Sequence, residues 1–169
     1  MRAGGSAAVL NIRAAENGDR NAIWAVLEPV MRAGETYLLA RDASREEVLG
    51  FWFASAHEVF VAEEEGAIVG TYFLRANQGG GGSHVANCGY VTAGTATGRG
   101  VASAMCEHSM ERARARGFRA MQYNFVVSTN ERAVRLWKKH GFRIVGQLPG
   151  AFLHPQAGYV DAFVMYREL

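Results

Sequence analysis

Thr97-Gly98-Arg99-Gly100-Val101-Ala102-Ser103-Ala104-Met105 decides how the rest of this chain is read. Upstream, Cys88-Gly89-Tyr90-Val91-Thr92 has the composition of a strand; downstream, a helical pattern spans 98–116. A strand that turns through glycines into a helix leaves the unpaired N–H groups of the first helical turn facing outward, with the positive end of the helix dipole behind them. Glycines let a phosphorylated ligand approach the main chain, so the three parts together form an anion cradle. A dinucleotide fingerprint would need a third glycine where Ser103 stands, and an acidic residue about twenty positions on has no convincing candidate. A Walker loop is excluded, because no Gly-Lys-Ser/Thr occurs.

The 169 residues suit one domain with a sizeable core, expected over 10–169 after a loose tail at 1–9. A net charge of +2, from 18 basic and 16 acidic residues, gives no support for a nucleic-acid partner. Arg112, Arg114, Arg116 and Arg119 cluster, as do Lys138 and Lys139; a solvated face and a contribution to holding a nucleotide phosphate both stay open. Cys88 and Cys106 make no disulfide framework and suit a reducing compartment. No apolar run approaches a membrane span, no signal layout opens the chain, and a cytoplasmic location is the expectation. The five histidines and two cysteines form no metal-binding pattern, so no metal is expected.

Periodicity predicts strands at 10–13, 58–63, 67–76, 84–92, 119–127, 142–146 and 159–167, and helices at 19–33, from Ser44 onward, 98–116 and 130–140. Pro29 is expected to kink or divide the first helix. Ser44 should cap the second, with Glu46 and Glu47 in its first turn. The glycine-rich stretch 78–83 reads as a connector, since no helix follows it, and 150–158 reads as a loop. Hairpins followed by a βαβ unit argue an α/β or α+β domain with a mixed sheet.

A second motif, Asn130-Glu131-Arg132-Ala133-Val134-Arg135-Leu136-Trp137-Lys138-Lys139-His140-Gly141-Phe142, follows the first at a telling distance. With it the chain resembles the GCN5-related N-acetyltransferase (GNAT) superfamily. There, motif A is Gln/Arg-x-x-Gly-x-Gly/Ala at a strand-to-helix turn, and residues 97–102 match all but the first position, where Thr97 stands. Motif B is Asn-x-x-Ala-x-x-Leu-Tyr-x-x-x-Gly-Phe; Asn130, Ala133, Leu136, Gly141 and Phe142 match, and Trp137 replaces the tyrosine.

The resemblance covers nearly the whole chain. It implies a three-layer GNAT fold: a mixed, mostly antiparallel, splayed sheet with helices on both faces. It also implies acetyl-CoA as donor, a small-molecule amine as acceptor and frequent dimerisation, although the sequence reports no interface. Cofactor contacts are implied for Val91, Thr92, Thr97, Gly98, Arg99, Gly100, Val101, Ala102, Ser103, Asn130, Ala133 and Trp137. An indole N–H is no useful acid near neutral pH. Trp137 therefore packs against the pantetheine or the core, and water or Tyr90 is left as the proton source.

Three stretches, 83–90, 123–130 and 160–162, also resemble fungal acetyltransferases that detoxify proline analogues such as azetidine-2-carboxylate. That likeness implies that Asn87 meets the amino-acid substrate and that Asn124 and Asn130 serve the acetyl group and the pantetheine. The residues alone leave other readings open. Asn124, alternating with Tyr123 and Phe125, is either satisfied by neighbouring backbone or faces a cleft, and Asn130 is a natural helix cap. Glu35 is either a solvated loop carboxylate or a substrate contact; Tyr37 and Trp52 are candidate pocket walls, with core packing favoured for Trp52. His57 and His84 are weaker candidates for a base. A protein or peptide N-acetyltransferase and a non-catalytic acyl-CoA-binding module stand as the alternatives.

Overall fold

The computed structural model describes residues 9–169, so the tail expected over 1–9 lies, apart from Val9, outside the described residues. Seven strands form one sheet: β1 (Leu10–Ala14), β2 (Glu58–Glu64), β3 (Ala67–Ala76), β4 (Val85–Thr92), β5 (Ala120–Val127), β6 (Arg143–His154) and β7 (Gly158–Glu168). Their order is β1-β2-β3-β4-β5-β7-β6. Every neighbouring pair is antiparallel except β4 and β5, which run parallel. Four helices complete the frame: α1 (Arg20–Ala33), α2 (Arg45–Trp52), α3 (Val101–Ala115) and α4 (Glu131–Lys139).

Strand alternation sorts the side chains into two cores. Tyr72 and Leu74 of β3 and Cys88 of β4 pack with Met105, Cys106 and Met110 of α3 and Trp137 of α4. Phe73 and Val91, on the other face, pack with Ile23, Leu27 and Met31 of α1 and Val48 and Trp52 of α2. The result is the three-layer α/β arrangement expected from the motifs, with helices on both faces.

Local chemistry explains the element ends. Ser44 accepts from the Glu47 amide at 3.1 Å while the Glu47 carboxylate accepts from the Ser44 amide at 2.7 Å, a reciprocal cap that starts α2. Helix α1 runs through Pro29 without a break, against expectation. Ala25, whose carbonyl loses its partner there, is exposed, and the buried stripe of Ile23, Val26, Leu27 and Met31 holds the helix to the sheet.

Three further expectations are corrected. Helix α3 starts at Val101 rather than Gly98, because Gly98 and Gly100 carry φ of +80° and +85°, outside helical space. The stretch 150–158 is no loop. It forms the end of β6 and the turn into β7, with Pro149 at a register shift on the sheet's edge, where a missing N–H is tolerated. The Asp161 carboxylate accepts from the Gly150 amide at 2.9 Å across that shift. Finally, β5 carries an extra residue between Tyr123 and Val126 relative to β7. Val126, not Phe125, therefore shares the α3 side with Tyr123, and Phe125 turns toward Phe152.

Candidate active site

Strands β4 and β5 pair only at Val85 with Ala120 and Ala86 with Met121, and then part. At the parting point the Asn87 side-chain amide donates to the Gln122 carbonyl at 3.0 Å, occupying the first β5 acceptor beyond the last pair. Asn87 is itself buried, and its Oδ1 accepts from Arg75 Nε at 3.2 Å. Beyond it the strands enclose a cavity of about 550 Å³.

Ladder bonds assign the free edge of β4. The Ala93 amide donates to Val69 of β3, and strand groups alternate between edges. Asn87, Gly89 and Val91 thus bond to β3, while Cys88, Tyr90 and Thr92 present their main-chain groups to the gap. The Tyr90 carbonyl accordingly accepts from the Tyr37 hydroxyl at 3.1 Å.

All three asparagines line this one cavity, with Tyr37, Val91, Thr92, Ala133 and Trp137. Asn124 sits in an amide chain: Gln122 Nε2 donates to Asn124 Oδ1 at 3.0 Å, and Asn124 Nδ2 donates to Asn77 Oδ1 at 2.7 Å. Asn130 caps α4, accepting from the Ala133 amide at 3.4 Å, so capping and a place in the wall coexist. Gly89 admits Phe73 and Tyr37, since a Cβ there would stand 2.5 Å from the Phe73 ring and 3.0 Å from the Tyr37 hydroxyl.

Several expected residues behave differently. Glu35 is exposed and contributes nothing to the wall. The Tyr90 hydroxyl is engaged in the core instead of the cleft, meeting Ser109 at 2.7 Å and the Tyr123 hydroxyl at 2.9 Å. Burial pushes its pKa far up, which makes it a poor proton source. Trp137 packs between Tyr90 and Tyr123, each ring centroid 5.0 Å away. Trp52 is core, donating from Nε1 to Thr71. His84 is exposed; His57 stacks on Phe73 at 4.1 Å, and burial lowers its pKa. Among the described residues the wall holds no carboxylate and no imidazole.

Sequence reasoning missed Arg75 and Asn77. Their signal was modest: two polar residues closing an otherwise apolar strand just before the glycine-rich connector.

The glycine turn lies on the exposed edge where α3 begins. The first helical bond runs from the Ala104 amide to the Gly100 carbonyl at 3.0 Å, so the amides of Val101, Ala102 and Ser103 precede it and have no helical partner. A Cβ on Gly98 or Gly100 would meet no protein atom within 4 Å, so the space before these amides is open. The side chains are otherwise committed: Thr97 to the Ala93 carbonyl, Arg99 to Glu64 and Ser103 to His140. What the turn offers a ligand is main chain, as an anion cradle requires.

Residues 21–142 match the family described as the Acetyltransferase (GNAT) family. The N-acetyltransferase aca1 of Schizosaccharomyces pombe is 24% identical over 148 residues, covering 78% of this chain and 71% of its own length. Among solved structures, a GCN5-related N-acetyltransferase from Kribbella flavida is 38% identical, with a TM-score of 0.90 over 95% of this chain and 98% of that one. A GNAT superfamily phosphinothricin acetyltransferase from Sinorhizobium meliloti, solved in complex with AcCoA, has a TM-score of 0.83 over 95% of this chain and 88% of its own. At 19% identity it speaks for the fold alone.

Proposed function

This chain belongs to the acetyltransferase (GNAT) family, and from that premise we propose that it transfers the acetyl group of acetyl-CoA directly to the amine of a small molecule, an amino acid or amino-acid analogue. The reading rests on one observation above the others: Asn87, Asn124 and Asn130 line a single cavity at the parting of β4 and β5.

The free amides of Val101, Ala102 and Ser103 suit the cofactor's pyrophosphate, and Val91, Thr92, Ala133 and Trp137 suit its pantetheine arm. Bound acetyl-CoA supplies an activated thioester, whose thiol, with a pKa of about 8.5, leaves without a strong acid. The Tyr90 N–H, directed into the gap, meets the charge that builds on the reacting oxygen; such a donor is worth roughly 3–4 kcal/mol. Val91, whose N–H is bonded to β3, does not share that role. Asn87 and Asn124 orient the acceptor, and juxtaposition of two bound substrates lowers much of the remaining barrier. With no carboxylate or imidazole in the described wall, the amine enters neutral or releases its proton to water.

Thiol release from acetyl-CoA, measured against amino acids, proline analogues, polyamines and peptides, tests the proposal. Turnover should favour amino-acid acceptors. Activity confined to peptides or polyamines would replace this reading, and none with any amine would end it. We further propose one domain over 10–169 and a homodimer, for which limited proteolysis and light scattering are the tests.

A further inference from the structure

Arg75 is the one formally charged side chain in the cavity wall among the described residues. It is half-buried, at the end of β3 and directly opposite Asn87 in the register with β4. Its Nε is occupied by Asn87 Oδ1 at 3.2 Å. None of the ion pairs among the described residues includes it. Arg75 thus brings a permanent cation to the wall of a largely apolar cavity, with no carboxylate within ion-pair distance of it.

A guanidinium fork matches a carboxylate in shape and charge, and a partly desolvated setting strengthens the attraction. Strand alternation separates this cation from the cofactor's phosphate site. Arg75 shares the Phe73 face of β3, which packs against α1 and α2, while the glycine turn leads into α3 on the opposite face. Phosphate binding is thus not its task. The same charge opposes a polyamine or any acceptor with a second ammonium.

We propose that Arg75, held at Nε by Asn87, binds the carboxylate of an amino-acid acceptor and so selects amino acids over plain amines and polyamines. This rests on the acetyl-transfer reading above and adds the group that sets its substrate class. Asn87 then acts twice, closing the sheet at Gln122 and fixing the angle of the guanidinium.

The test compares an amino acid with its own carboxamide as acceptors for the wild type, Arg75→Gln and Arg75→Lys, with coenzyme A affinity measured by calorimetry on each protein. The wild type should prefer the acid. Arg75→Gln should lower kcat/KM for the acid by about ten- to a hundredfold, mainly through KM, lower that for the carboxamide far less, and leave coenzyme A binding unchanged. Arg75→Lys, which keeps the charge but loses the fork, should fall between, and its coenzyme A binding certifies a folded site if the glutamine variant fails to fold. Equal losses for acid and carboxamide, or an unaffected acid, overturn the anchor and leave the acetyltransferase reading standing. A wild type that acetylates only amines lacking a carboxylate removes the anchor and the amino-acid acceptor but not acetyl transfer; one that acetylates no amine removes acetyl transfer as well.

Discussion

The side-chain amide of Asn87 donates to the main-chain carbonyl of Gln122 at 3.0 Å, one residue past the last β4–β5 pair. A parted sheet leaves main-chain groups without a strand opposite, and buried groups of that kind must find partners elsewhere. One side-chain amide thus caps the ladder, and the cleft begins where it stands. Replacing Asn87 with Ala strips Gln122 of a donor and Arg75 of its acceptor together. The unfolding free energy in urea should drop by roughly 1–3 kcal/mol, with a fall in turnover. Unchanged stability would mean that the parting needs no such cap.

Asn124 links Gln122 to Asn77 through two amide hydrogen bonds at the cavity wall. In Asn124→Ala, kcat should decline with acetyl-CoA affinity retained. Equal loss of both would move Asn124 from the reacting region to the cofactor's arm.

Gly100 has a φ of +85° at the start of α3, and Gly117 a φ of +83° beyond its end, each with open space where a Cβ would stand. Alanine at either position should cost about 1–2 kcal/mol of stability through backbone strain alone. Calorimetry should find weaker coenzyme A binding for Gly100→Ala and normal binding for Gly117→Ala. Indistinguishable affinities would detach the turn from the cofactor.

Trp137 is buried among aromatic rings, and its indole serves packing rather than acid catalysis. Trp137→Phe should retain most of the turnover. Trp137→Ala should lose about 3–5 kcal/mol of stability as a cavity opens. A collapse of kcat in a stably folded Phe variant would assign the indole a chemical part.

Burial holds the imidazoles of His57, His108 and His140 below their ordinary pKa of 6.5. The unfolded chain takes up these protons near that value, and the folded chain only at lower pH. Their contribution to stability is therefore complete above about pH 6.5 and disappears as pH falls through the folded values. Thermal melts from about pH 7.5 down to about pH 5.5 should show a declining Tm; a flat profile over that range contradicts the assignment.

The strands, the helices and the glycine turn were legible in the sequence because each depends on neighbours a few residues away. Ser44 with Glu47 wrote its own cap, and the apolar stripe of α1 announced its buried face. The end of β6 was not legible, since an exposed edge strand carrying Pro149 and Gly150 looks like loop until β7 lies beside it. The bulge in β5 was equally hidden: alternation put Phe125 with Tyr123, and only the register against β7 gave that place to Val126.

By itself the sequence determined the family motifs at 97–102 and 130–142, the order of the elements and the three asparagines, all of them short-range patterns of residue type and spacing. Tertiary structure alone decided at which residue pair the two central strands part, that Asn87 caps Gln122 there, that the Tyr90 hydroxyl turns into the core, that Glu35 stays in solvent, and that Arg75 lines the cavity without an acidic partner. Those outcomes turn on strand register and on which buried polar groups find partners, quantities shared between residues far apart in the chain and therefore written in no local stretch of it.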